Sequence, residues 1–315
     1  MKITVLDRNS LGNDTPLDML YNFGEVEIYD ATDESNIYER ITESDVLIIN
    51  KVKITKAVIS AAKKLKLVCV FATGYDNIDI CAAKERNVAV CNVPGYSTDS
   101  VALFTIATTL ALVTHLEEYN NFVRSGEYSA SGTPNRLVPV YHEIKGKTWG
   151  IVGLGNIGRA VARVAEAFGA RVIANKRTPV DDYECVDIDT LCRESDIITI
   201  HCPLNDESRN LINKDKIALM KENVIIVNEA RGAVINDVDI VDAIKTKKIA
   251  AFGSDVYTTE PFGCDHPFYE IKKYDNVLLT PHAAWGSYES RARCIGIICE
   301  NIASYINGGK KNRVV

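Results

Sequence analysis

The sequence predicts an α/β protein with two doubly wound parallel-sheet domains. Three observations predict it. Short apolar runs alternate with amphipathic stretches along nearly the whole chain. One such run, residues 149–152, leads straight into Gly153-Leu-Gly155-Asn156-Ile157-Gly158 and then into an alanine-rich segment with helical spacing. The length of 315 residues suits about two domains, and 46% hydrophobic with 25% charged residues describes a chain able to bury a core in water.

Taken in order, residues 2–7, 25–29, 46–50, 67–71 and 88–91 read as short buried strands with amphipathic helices between them. This is a small doubly wound unit without a phosphate loop of its own. The Pro94-Gly95 turn and the Ser/Thr/Asp cluster after it signal a chain crossing and a helix cap. Residues 100–123 then read as one long helix, apolar around most of its circumference, which must be covered by the core or by another subunit. A polar loop over residues 125–147 leads back to the glycine-rich stretch.

Strand, glycine turn and helix together are the signature of a Rossmann dinucleotide site. Gly153 lets the chain turn off its strand, Gly155 lets a pyrophosphate approach the backbone, and Gly158 lets helix and strand pack closely. The phosphates are expected on the N–H groups that open the helix near Asn156 and Ile157. A second strand follows at residues 170–174. Just past it, 23 residues after Gly153, stands Lys176, followed by Arg177, where a ribose-reading acid is expected. A carboxylate there repels a 2′-phosphate and a basic pair attracts one, so NADP(H) is favoured and NAD(H) possible. The bland alternative is a solvated basic loop.

Residues 196–202, 223–228, 250–256 and 277–280 continue as strands. In open parallel sheets the ligand crevice lies outside the carboxyl ends of the strands, which places Arg231, Asp255, Glu260 and His282 together near the nicotinamide. Singly, each has a dull explanation: a capped surface histidine, a structural ion pair. Four suitable residue types at successive strand ends favour chemistry. A closing helix over residues 287–307 returns to the first domain and makes it discontinuous.

The net charge of −6, with a pI near 5.5, argues against nucleic acid or an anionic membrane as the main partner. Residues 1–7 read as a first strand, not a secretory leader, and no run approaches the length of a bilayer span. Nine cysteines show no Cys-x-x-Cys pair and no zinc spacing, so no metal site is expected. Buried reduced thiols in a cytoplasmic protein are the expectation, with Cys202 and Cys264 placed near the cofactor or the rim of the site.

Over essentially its full length the chain resembles the D-2-hydroxyacid dehydrogenase family. The resemblance is carried by Ala72-Thr-Gly-Tyr-Asp-Asn-Ile-Asp79, the stretch from Asn92 to Ala102, the glycine hexad, His201-Cys-Pro-Leu204, Asn228-Glu-Ala-Arg-Gly232, Asp255-Val-Tyr-Thr-Thr-Glu-Pro261 and Pro281-His282. Asn50-Lys51, the Tyr96 to Ala102 stretch and Trp285 look most like glycerate dehydrogenases, also called hydroxypyruvate reductases. The resemblance implies His282 as general acid/base, Glu260 as its partner and Arg231 as the holder of the substrate carboxylate. It also implies a carboxylate cradle of backbone N–H groups at Thr73 and Gly74, with Asn50, Lys51 and Trp285 on the substrate. Asp255 would meet the nicotinamide amide, Val101 and Ala230 would line that ring, and Cys202 and Pro203 would touch the cofactor. Departures are Glu229, where serine or threonine is commonplace, Leu103 in place of a frequent glutamate, and the missing acid at Lys176.

The expected protein is therefore a dehydrogenase with a Rossmann domain over residues 99–286 and a flavodoxin-like substrate domain over 1–98 plus 287–315. Substrate is expected in the cleft between them, with hinges at residues 97–100 and Gly286. A homodimer is expected. The expected reaction reduces a small 2-oxo acid of the hydroxypyruvate or glyoxylate type. Pyruvate or 3-phosphohydroxypyruvate as substrate, or a non-catalytic dinucleotide-sensing dimer like the family's corepressors, stay open.

Overall fold

Why the strands pair as they do follows from their composition. In the computed structural model, which describes residues 1–315, β1 (Lys2–Val5), β2 (Glu25–Ile28), β3 (Val46–Ile49), β4 (Leu67–Val70) and β5 (Ala89–Cys91) form a parallel sheet in the order β2-β1-β3-β4-β5. The central strands Val-Leu-Ile-Ile and Leu-Val-Cys-Val are buried at every position, as strands covered on both faces must be. This is the flavodoxin-like order. It belongs to a unit of Met1–Ser97 with Gly286–Val315. The helix Tyr288–Ile306 supplies Cys294, Ile295, Ile298 and Ile302 to that core, and its Ser287 cap accepts from the Ser290 N–H. Beyond it the chain turns back along β5: Val314 N–H donates to Val90 O at 2.7 Å and Asn92 N–H to Asn312 O at 3.2 Å.

The second unit, Thr98–Trp285, contains β6 (Thr148–Val152), β7 (Arg171–Asn175), β8 (Glu184–Cys185), β9 (Ile197–Ile200), β10 (Val224–Asn228), β11 (Ile249–Ser254) and β12 (Val277–Leu279). All are parallel, in the order β12-β11-β10-β9-β6-β7-β8. The order reverses between β6 and β9, and that switch point is where a Rossmann sheet takes its ligand. Trp149 is fully buried under the sheet, its indole N–H donating to Thr199 Oγ1 at 3.1 Å.

Three expectations need correction. The connection from β1 to β2 is not an amphipathic helix but two short 3-10 turns, Arg8–Leu11 and Asp18–Phe23. Gly12 at φ +82° and Pro16, without an N–H, stop a helix from propagating between them. The long helix is also two: Thr98–Val113 and Leu116–Arg124, bent by 65°. His115 sits at φ +51°, and Thr114 Oγ1 donates to Leu110 O at 2.7 Å, a back-bond that bends helices. The loop over 125–147 holds a further short helix, Glu127–Ser131. Strand β8 was not anticipated, since two residues carry no periodicity. No single helix is long and apolar enough to cross a membrane.

Candidate active site

The dinucleotide turn is built by its glycines. Gly153 has φ +96°, and a Cβ there would lie 2.5 Å from Cys202 N, so both the left-handed turn and the approach to the end of β9 exclude a side chain. At Gly158 a Cβ would lie 2.3 Å from Gly153 O and 3.1 Å from Ile151 Cγ2, which fixes the contact of helix with strand. Gly155 differs: a Cβ there meets nothing within 4 Å. It caps the helix Asn156–Ala167 with no side-chain hydrogen bond, so no capping side chain occupies the opening N–H groups. The cradle fits a dinucleotide pyrophosphate.

Around that turn, Lys176 leaves the end of β7 half-buried and donates from Nζ to Leu154 O at 3.4 Å, while Arg177 is exposed. Asp182, farther along the same loop, is committed to Arg159, whose hydrogen bonds hold its carboxyl below the usual range. Cys202 is half-buried, its thiol pushed up to about 11 by burial, and the following Pro203 is exposed. Beside it, both ring nitrogens of His201 are buried without a partner and burial lowers that imidazole to about 3, so it is neutral. Val101 and Ala230 are buried.

The catalytic candidates come from three adjacent strand ends. After β10, the buried Asn228 clamps the next turn: its Nδ2 donates to Arg231 O at 3.0 Å and its Oδ1 accepts from Ala230 N at 3.1 Å. Arg231 Nη1 donates to Ala230 O at 2.8 Å. After β11, Asp255 is almost wholly buried and accepts Thr280 Oγ1 at 2.6 Å and the Ala283 and Ala284 N–H groups at 2.8 Å each. Those donors flank His282. Asp255, expected at the nicotinamide amide, is seen to pin the histidine loop.

His282 adopts φ +54°, and its Nδ1 lies 2.6 Å from Glu260 Oε2. A carboxylate only accepts, so Nδ1 carries the proton and Nε2 is the nitrogen left to exchange one with a substrate. The side chains are 27% and 28% exposed, enough for a ligand to reach. Glu260 Oε1 accepts from Tyr257 N at 3.1 Å. Trp285 follows, partly buried, and Cys264 is exposed on the loop after Glu260.

Glu229 is the unexpected residue of this region. It is buried with neither oxygen in a hydrogen bond, and burial, reinforced by the negative charge of Asp255, pushes its carboxyl up to about 9. The Thr108 hydroxyl, outside hydrogen-bonding geometry, offsets only part of that rise. Glu229 is therefore a neutral acid at pH 7.

In the first unit the candidates gather at the ends of β3 and β4. Asp7 accepts from the backbone N–H groups of Asn50 at 3.0 Å, Lys51 at 2.6 Å and Val52 at 3.3 Å. Asn77 Nδ2 donates to Asn50 O and Val52 O at 3.1 and 2.8 Å. Thr73 Oγ1 is spent on Val93 O at 2.9 Å and its carbonyl accepts from Asn92 Nδ2 at 2.8 Å, so of the cradle expected at Thr73 and Gly74 neither of these two oxygens could serve as a donor. The anchoring parts of Asp7, Asn77, Asn228 and Tyr257 escaped the sequence reading. Their only signal is a polar side chain near a strand end.

The family of the D-isomer specific 2-hydroxyacid dehydrogenase NAD binding domain matches residues 106–284, more than half of the chain. The chain is 37% identical to the hydroxypyruvate reductase of Blautia hydrogenotrophica, covering 100% of this chain and 99% of that protein. It is 36% identical to the glyoxylate reductase of Thermococcus litoralis over 92% of this chain and 90% of the other. A solved structure of an acyclic imino acid reductase in complex with NADPH and D-Arg matches with a TM-score of 0.89 at 30% identity, each chain covered completely. Glycine cradle, reversed strand order and the His–Glu pair agree with this likeness: the chain belongs to the D-isomer specific 2-hydroxyacid dehydrogenase family and is an NAD(P)-dependent oxidoreductase.

Proposed function

We propose that the chain reduces a small 2-oxo acid of the hydroxypyruvate or glyoxylate type to the D-2-hydroxy acid, with NADPH preferred. The observation that carries the reaction is the 2.6 Å hydrogen bond between His282 Nδ1 and Glu260, one strand end from Arg231. The bound cofactor supplies the hydride that goes to C2. His282 Nε2 supplies the proton to the keto oxygen, and Glu260 stabilises the imidazolium before the transfer. Arg231 holds the carboxylate with its planar fork. Asn50, Lys51, Trp285 and the N–H groups of Thr73 and Gly74 are the further residues assigned to substrate binding. The names of the two curated relatives support hydroxypyruvate and glyoxylate. Oxidation of NADPH and NADH with hydroxypyruvate, glyoxylate, pyruvate and 3-phosphohydroxypyruvate tests the choice. Absence of turnover with every acid would favour the dinucleotide-sensing alternative.

The preference for NADPH rests on Lys176 and Arg177 at the end of β7, where no acid stands. Lys176→Asp is expected to lower kcat/KM with NADPH by about 10- to 100-fold, the loss of one charge-assisted contact joined by a repulsion. Its NADH value should hold or rise. Equal effects on the two cofactors would remove the basic pair from this role.

A second copy of the chain is the proposed partner. Leu103, Leu116, Leu137, Val138, Val140 and Tyr141 are exposed within one segment of the second unit, Leu137 by 74%. Sedimentation at micromolar concentration should give twice the 34.8 kDa chain mass. All nine cysteines are free, which supports a cytoplasmic setting.

A further inference from the structure

Three strand ends must hold a common register for Arg231, Glu260 and His282 to act on one substrate, and one residue, through its backbone and its hydroxyl, touches all three. Tyr257, two residues past Asp255, donates its backbone N–H to Glu260 Oε1 at 3.1 Å. Its hydroxyl donates to Thr280 O at 2.7 Å. That same carbonyl accepts the backbone N–H of His282 at 3.1 Å, closing the tight turn over Pro281 that sets the histidine at φ +54°. On its other side the Tyr257 carbonyl carbon lies so close to Gly232 that a Cβ there would sit 2.0 Å away, so the turn carrying Arg231 rests directly on it.

We propose that Tyr257 is the positioning residue of the active site, its hydroxyl locking the His282 turn against the segment that presents Glu260 and supports Arg231. This rests on the reading of those three residues as the catalytic set. The ring itself is fixed: it packs edge-on to Phe262 at 4.6 Å between centroids, with His266 and Phe268 also edge-on beyond. The next residue anchors the segment from below, Thr258 Oγ1 donating to Asp237 Oδ2 at 2.7 Å. Burial, with the carboxylates around it, holds the phenol well above its ordinary value, so it stays a donor throughout the working range. Phenylalanine keeps every ring contact and removes only the hydroxyl.

Tyr257→Phe is therefore expected to lower kcat about tenfold, the effect of one well-placed hydrogen bond on a transition state, with KM and cofactor Kd within about twofold. In the cofactor-free protein the far-downfield proton NMR signal of the His282–Glu260 bridge, identified by its loss in Glu260→Gln, should exchange faster in Tyr257→Phe than in the wild type. A lower melting temperature with unchanged kcat and unchanged proton exchange would reduce Tyr257 to a packing residue and overturn the inference. His282→Asn separates the two levels. Wild-type turnover in that variant overturns the catalytic assignment beneath, whereas its loss together with wild-type kcat in Tyr257→Phe overturns this inference alone.

Discussion

Replacing His282 with alanine is expected to lower kcat for 2-oxo acid reduction by about a thousandfold, the usual worth of a positioned general acid. The expectation follows from the hydrogen-bond inventory at the site. Glu260 accepts the Nδ1–H hydrogen bond, so the exchangeable proton sits on Nε2, and the other protonated acid at these strand ends, Glu229, has both carboxyl oxygens buried. Asp255 is buried with three donors on its oxygens. Cofactor affinity should survive, because the glycine cradle lies at β6 and β9 while the histidine follows β12. Steady-state kinetics together with cofactor fluorescence titration check both halves. Substantial turnover in the alanine variant would place the proton donor elsewhere.

The largest stability effect is expected at Glu229. Its folded-state value of about 9 lies well above the ordinary 4.5, because burial penalises the carboxylate and Asp255 repels it. The folded protein therefore holds a proton that the unfolded chain has lost. Such a group contributes its full stability below about pH 4.5, loses it steadily as pH rises, and has none left above about 9. Integrated over that window, the cost of keeping this residue is on the order of 5 kcal/mol at the alkaline end. Glutamine has nearly the same shape and never ionises. Glu229→Gln should therefore melt about 5 to 10 °C above the wild type at pH 8.5, and close to it at pH 5. Thermal unfolding followed by circular dichroism at the two pH values is the check. Parallel pH dependence in the two proteins would show that this carboxyl does not hold its proton in the folded state.

What could be read from the one-dimensional chain was whatever repeats or whatever needs a special backbone. Runs such as Val46–Ile49 and Leu67–Val70 announced central strands because only a doubly covered sheet accepts four successive large apolar side chains. The spacing of Gly153, Gly155 and Gly158 announced the turn, and all three tasks assigned to them have a geometric counterpart. The break at His115 was hidden, since the flanking residues keep helical apolar spacing and the bend comes from one left-handed residue and a threonine back-bond. Glu229 was noticed as unusual but not as uncharged, because its state depends on burial between Thr108 and Asp255, neither of them near in sequence. Tyr257 looked like one more aromatic after a strand. Its importance lies in partners from residue 232 to residue 280, and sequence spacing does not encode such meetings.

The return of the chain beside β5 has a bearing on how the protein behaves at high concentration. A parallel sheet of five strands ends in two rows of unsatisfied amides, each a template for another molecule's backbone. On one flank those groups are answered from within by residues 312–315, and on the other the outer strand carries Glu25 and Glu27, whose charges discourage stacking of like chains. Removing the last few residues would leave Arg231, Glu260 and His282 of the second unit in place and still produce a sticky molecule, because a ribbon flank would become open to recruitment.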